Sequence, residues 1–178
     1  VKVGENYALV ISTSSGLWRY DIGDTVQFTQ LEPYRIIVTG RIKHFISAFG
    51  EHVIAKEVET TIKEVSSKLN LNVREFTVAP QVSPKAGLPF HEWFIEFDEI
   101  NDNLDEIENI MDKIMQRQNI YYKDLIQGKI LSPLRIKKIK KGGFNLFMKS
   151  VGKLGGQNKV PHLSNDRKIA NQLKNYTI

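Results

Sequence analysis

The apolar pattern of this chain changes period at Gly40, and that change limits the folds open to it. Before Gly40, short β-type runs follow one another: Tyr7 to Ser12, Leu17 to Tyr20, Thr25 to Thr29 and Tyr34 to Val38. Ser/Gly and Glu32-Pro33 turn signals separate them. After it, Val58, Ile62, Val65 and Leu69 recur at helical spacing and form one apolar stripe. Neighbouring short strands followed by alternating helices and strands predict an α+β chain. The expected architecture is a small antiparallel β meander over 1–40, then a compact α+β domain over 41–178 with a mixed or antiparallel sheet flanked by helices.

Within the second part, Arg74 to Pro80 and His91 to Phe97 read as strands, joined by a loop through Ser83 to Pro89. In the second strand Trp93, Ile95 and Phe97 fall on one face, and Glu92 and Glu96 on the other. Asn103 followed by Glu106 reads as a capping box, with Leu104, Ile107, Met111, Ile114 and Met115 making a stripe behind it. A short helix around Tyr121 to Ile126 precedes a strand near Leu131 to Ile139. Gly142-Gly143 punctuates the chain, Phe144 to Ser150 reads as helical, and Ser164 reads as the cap of a last helix carrying Ile169 and Leu173. Trp18, Tyr20 and Phe28 are expected to pack the meander, and Phe45 and Phe49 the core.

Composition removes several function classes. With 178 residues, 41% of them hydrophobic, the chain can bury a real core. There is no cysteine, so neither a disulfide framework nor a thiolate metal site is available, which fits a reducing, cytoplasmic setting. No apolar run reaches membrane-spanning length. His44, His52, His91 and His162 lack metal-ligand spacing, so no metal site is expected on this chain, and no Ser/His/Asp or Cys/His set suggests a side-chain nucleophile. The net charge of +5 and the run Ile136-Lys137-Lys138-Ile139-Lys140-Lys141 permit a non-catalytic module that binds nucleic acid. A solvated strand end explains the run as well, and no zinc-finger spacing or RNA-binding aromatic signature accompanies it.

Two stretches point to chemistry. The first is Gly16-Leu17-Trp18-Arg19-Tyr20-Asp21-Ile22-Gly23-Asp24, and the second is Gly40-Arg41-Ile42-Lys43-His44-Phe45-Ile46-Ser47-Ala48-Phe49-Gly50-Glu51. A glycine before Asp24 allows a turn that presents its carboxylate at a strand end, where an ionised Asp can accept from two neighbouring hydroxyls, as a ribose offers. A plain hairpin turn is the alternative. The Arg41 guanidinium can grip ribose or phosphate oxygens bidentately, or simply pair with a nearby carboxylate. Lys159 follows a glycine-rich polar segment from Gly152 to Asn158 that can carry an ammonium into a cleft, or leave it as one more solvated lysine beside Lys149 and Lys153.

The order Tyr20-x-Ile22-Gly23-Asp24, Val38-Thr39-Gly40-Arg41-x-Lys43-His44-Phe45 and Phe49-Gly50-Glu51 resembles the auxin-responsive, Gretchen-Hagen-type acyl-acid amido synthetases of the adenylate-forming superfamily. The resemblance resumes at Gly155-Gly156-Gln157-Asn158-Lys159-Val160-Pro161, although the flanks of Lys159 depart from the Pro-x-x-x-x-Gly-Lys pattern of the acyl-CoA branch. It implies the C-terminal part of a ligase that uses ATP and magnesium to adenylate a carboxylic acid and passes the acyl group to an amine such as an amino acid. An adenylate-forming scaffold of altered activity is the other outcome it allows. It further implies that 1–40 closes a large adenylating domain and that 41–178 is a mobile C-terminal domain. The upstream domain would be the main partner, carrying the phosphate loop, most of the acyl pocket and the chief contacts to ATP and magnesium. Asp24 and Arg41 would then bind nucleotide, Lys43 would mark the hinge, and Lys159 would neutralise phosphate charge. Such a reaction relies on positioning and electrostatics rather than on a nucleophile. By itself this stretch, which begins Val1-Lys2-Val3 without Met, would be an incomplete fragment and would not catalyse it.

Overall fold

A computed structural model describes residues 1–41, 45–99, 103–153, 155 and 158–178, with the backbone alone at 41 and 45. Three antiparallel strands, β1 (Asn6–Ile11), β2 (Tyr20–Leu31) and β3 (Tyr34–Arg41), form the first sheet in that order. Thr13 to Gly16 close the β1–β2 hairpin through Gly16 N to Thr13 O and Thr13 N to Leu17 O bonds. Glu32 and Pro33, joined by a cis peptide, turn β2 into β3.

The meander departs from expectation in two ways. Leu17 and Trp18 are not in a strand, and β2 is a single strand running from Tyr20 to Leu31, because Gly23 is absorbed into it as part of a bulge. Trp18 and Tyr20 do not pack the sheet; they are 81% and 51% exposed. Phe28 does pack, edge-on between Tyr7 and Tyr34.

A two-stranded ladder, β4 (Phe45–Ile46) and β5 (Val53–Ile54), leads into α1 (Ala55–Leu69). The stripe expected on α1 is real: Val58, Ile62 and Val65 are buried. Asn70 ends the helix in the left-handed conformation.

The second sheet has order β6-β7-β8, with β6 (Val73–Gln81) antiparallel to β7 (Phe90–Phe97) and β8 (Arg135–Ile139) parallel to β7, so it is mixed. A parallel neighbour requires a long crossover, and α2 (Leu104–Gln118) and α3 (Ile120–Gln127) supply it. Asn103 caps α2 by accepting from Asp105 N at 3.1 Å. After β8 come α4 (Gly143–Ser150), α5 (Lys168–Leu173) and a 3-10 turn over Lys174–Tyr176. Ser164 is not the cap of α5; Asp166 Oδ1 accepts from Lys168 N at 2.9 Å instead.

Both faces of the second sheet are covered. Trp93, Ile95 and Phe97 enter a large core with α1 and α2, whereas Phe94 and Ala79 enter a second core with Ile139, Phe144, Phe147, Val160 and Leu173. Glu92 and Glu96, on the face opposite Trp93, are therefore buried as well. Arg167 pairs with Glu92, while Gly142 N and Phe144 N donate to Glu96 at 2.7 and 3.2 Å. Burial of a carboxylate is tolerated because each has its own donors.

Tight packing at the start of α4 makes a test of the second core. A Cβ added at Gly143 would run into the buried Ile139 side chain, with Tyr176 Cβ also close. Gly143→Ala is expected to cost about 1–3 kcal/mol, as overpacking of a filled core does, read as a lower urea midpoint with unchanged slope. An unchanged midpoint would show that Ile139 yields freely.

Candidate functional site

Asp24 sits inside β2 rather than at a strand end. Ala8 pairs with Thr25 and Val10 with Asp21, so Ile22, Gly23 and Asp24 stand opposite the lone Leu9. Gly23 adopts φ +79°, open to glycine at little cost, and Asp21 Oδ1 accepts from its N–H at 2.8 Å. The bulge re-aims the following residue, a common use of such irregularities beside functional sites. Asp24 is half-buried there, and in the β2–β3 ladder its register partner is Arg41.

The same end of the sheet meets the second part of the chain. Gly40, paired with Thr25, lies against Thr25 Oγ1 and Ala55 at the start of α1. Buried Thr39 donates to Asn6 Oδ1 at 2.8 Å and lies 3.1 Å from Thr25 Oγ1, tying all three strands beside Asp24. Lys43, the expected hinge residue, lies outside the described residues.

Lys159 belongs to a different place. It is exposed and lines a cleft of about 380 Å³ with Arg74, Glu75, Glu96 and Lys153, a cleft that Asp24 does not line. The chain just after it is pinned along the free edge of β6: Thr77 Oγ1 donates to Pro161 O at 2.7 Å, Val78 N to His162 O at 2.9 Å and Ser164 N to Val78 O at 2.9 Å. Buried Val160 anchors the same segment in the second core. Arg74 pairs with Asp98 and the backbone satisfies Glu96. Among the described residues this leaves Lys153 and Lys159 as cleft cations without a carboxylate partner. The ladder thus sets Asp24 and Arg41 in register, and Lys159 lies on a cleft away from Asp24.

Sequence reasoning missed a buried polar network around Glu51. His91 Nε2 lies 2.9 Å from Glu51 Oε1, both side chains within 1% of full burial, and Glu51 Oε2 accepts from Phe49 N at 2.8 Å. Burial by itself would raise the Glu51 carboxyl, but the hydrogen bonds from His91 and from backbone amides carry it below the ordinary carboxylate value. Asn119 Nδ2 donates to Glu51 O at 2.9 Å, and its Oδ1 accepts from Tyr122 N. Tyr122 Oη donates to buried Asp112 at 2.6 Å; burial, then the Asp112 charge, holds this phenol protonated well above its usual range. Glu51 lies before α1, and Glu57 in the first turn of α1 accepts from Ile54 N at 3.0 Å. The Phe49-Gly50-Glu51 spelling was the only available signal, and it says nothing of His91, which is 40 residues away.

His162, stacked on Phe76 at 4.2 Å, is raised above the ordinary imidazole value chiefly by its bond to Glu75, with Glu59 adding to this against the effect of burial. Among the described residues no group of three His, Asp or Glu could hold a metal ion. No described helix is long and apolar enough to cross a membrane. The basic run is largely β8, with Ile136 and Ile139 buried, and Lys140 lies over the Tyr176 ring.

Comparison with known proteins bears on this arrangement. The GH3 family central domain matches residues 1–41, and the GH3 family C-terminal domain matches residues 56–168. An indole-3-acetic acid-amido synthetase, GH3.10 of Arabidopsis thaliana, is 25% identical over 189 residues, covering 100% of this chain and 31% of its own length. The structure titled GH3.15 acyl acid amido synthetase shares the fold with a TM-score of 0.74 at 22% identity, over 100% of this chain and 35% of that one. One titled AtGH3.15 acyl acid amido synthetase in complex with 2,4-DB gives 0.73 at 21%, over 100% and 34%. The chain spans about a third of the length of these relatives. With its C-terminal-domain match covering more than half of the sequence, the chain belongs to the GH3 family.

Proposed function

We propose that this chain is the C-terminal part of an ATP-dependent acyl-acid amido synthetase, a ligase that activates a carboxylic acid as its acyl-adenylate and transfers the acyl group to an amine such as an amino acid, releasing AMP. Family membership supports the class, and the observation that carries the site is the register pairing of Asp24 with Arg41 beside the β2 bulge. An aspartate and an arginine at paired positions of one ladder are residue types that suit the hydroxyls and phosphate oxygens of a nucleotide. ATP, when bound, supplies the adenylyl group. Asp24 orients the ribose, and Arg41 holds ribose or phosphate oxygens. Lys43 marks the hinge about which 41–178 turns as a mobile domain, and Lys159 neutralises phosphate charge.

Magnesium and most contacts to ATP and to the acyl acid belong, in this reading, to the upstream domain that 1–40 closes. Support comes from the meander itself. β3 is an edge strand exposing Tyr34 and the consecutive Ile36, Ile37 and Val38, which cannot all face one side, as a strand does when both of its faces are to be covered. The cytoplasm is the matching compartment, given a chain without cysteine.

The test is Asp24→Asn in the full-length protein, followed by pyrophosphate exchange. Loss of charge-assisted bonds to ribose is expected to raise the KM for ATP about 10- to 100-fold, corresponding to roughly 1.5–3 kcal/mol, with stability little changed. Unaltered ATP dependence would remove Asp24 from the nucleotide site.

A further inference from the structure

A cleft of about 870 Å³ lies on neither of the surfaces above; it runs between the outer faces of α1 and α2. Its size falls within the range of small-molecule sites. Lys63 and Lys68 of α1 line it opposite Lys113 and Arg117 of α2, over a floor of Ile110 and Ile114. One carboxylate, Glu64, is present, and Arg117 takes it.

Charge in this groove is left over by the pairing elsewhere. On a helix Glu59 and Glu64 are placed to neutralise Lys63 and Lys68, four residues on. Glu59 instead meets His162 at 2.9 Å, and Glu64 crosses to Arg117. Asn109, four residues before Lys113, carries no charge, while Lys113 and Arg117 are themselves a like-charged pair at that spacing. Among the described residues Lys63, Lys68 and Lys113 have no carboxylate partner. Three unneutralised ammonium groups converge from two packed helices on an apolar floor.

We propose that this groove binds a small organic polyphosphate, its phosphates held by Lys63, Lys68 and Lys113 and its body lying on Ile110 and Ile114. Lysine suits phosphate as a movable point charge, and two or more phosphates are needed to engage cations from both helices at once. The site is separate from the nucleotide site proposed above and does not depend on it.

The experiment is calorimetric titration of the full chain at low salt with inorganic tripolyphosphate, with orthophosphate and with vesicles containing phosphatidylserine. Saturable one-to-one binding of tripolyphosphate, much weaker binding of orthophosphate, and steep weakening as salt is raised are expected. Lys63→Gln combined with Lys113→Gln should weaken it about tenfold, two exposed ion pairs' worth, with the circular dichroism spectrum retained. Lys85→Gln, in the exposed β6–β7 loop, should leave it within about twofold. Non-saturable binding, an unaffected double variant, equal loss in Lys85→Gln, or binding confined to the vesicles would each overturn the proposal.

Discussion

Replacing Glu51 by Ala is expected to lower the unfolding free energy by about 3–5 kcal/mol, because it leaves the fully buried His91 ring nitrogen and the Phe49 amide without their acceptor. In a domain of this size that corresponds to roughly 10 °C or more in Tm. The pH dependence follows from the direction of the Glu51 shift. Its carboxyl is lower in the folded chain than the ordinary value of about 4.3, so its contribution is fully present above that value and disappears as pH falls through the folded one. The deficit of Glu51→Ala relative to the native chain should therefore be constant near neutrality and narrow on acidification. A deficit that stays flat down to the acid transition would show that the carboxylate charge contributes nothing.

Trp93→Ala should have a comparable effect through another mechanism. The indole is wholly buried and stacked at 6.3 Å on Phe76, so truncation opens a large cavity at a cost of about 3–5 kcal/mol. Its Nε1–H is the one buried side-chain polar atom without a hydrogen-bond partner among the described residues. An unmet buried donor carries a penalty of about 1–3 kcal/mol, which Phe would relieve while keeping most of the ring volume. Trp93→Phe is accordingly expected to cost less than about 1.5 kcal/mol by urea unfolding. Equal costs for Phe and Ala would mean that the indole nitrogen is satisfied after all.

What could be read from the chain and what could not divides along contact distance. The Val58, Ile62, Val65, Leu69 stripe and the Asn103 cap are local, and both stand in the folded protein. The burial of Glu92 and Glu96 has no local signal, because the groups that make it tolerable, Arg167 and the Gly142 and Phe144 amides, are 75, 46 and 48 residues away. Gly23-Asp24 was expected to end a strand because a glycine turn and a bulged strand have the same spelling; the difference lies in Leu9, across the ladder. For the site, Asp24 and Arg41 could be picked from their residue types, but their register depends on that bulge and on a second irregularity between Thr25 and Val26. The Glu51–His91 pair had no sequence pattern to betray it.

Because β7 contributes Trp93, Ile95 and Phe97 to one core and Phe94 to the other, it is a party wall between them. Neither side can melt without stripping the wall of half its support, so damage to one chamber weakens the strand that the other also needs. The Lys159 cleft, built against this wall through Glu96, inherits that shared fate, and a lesion near α1 reaches it without touching any residue that lines it.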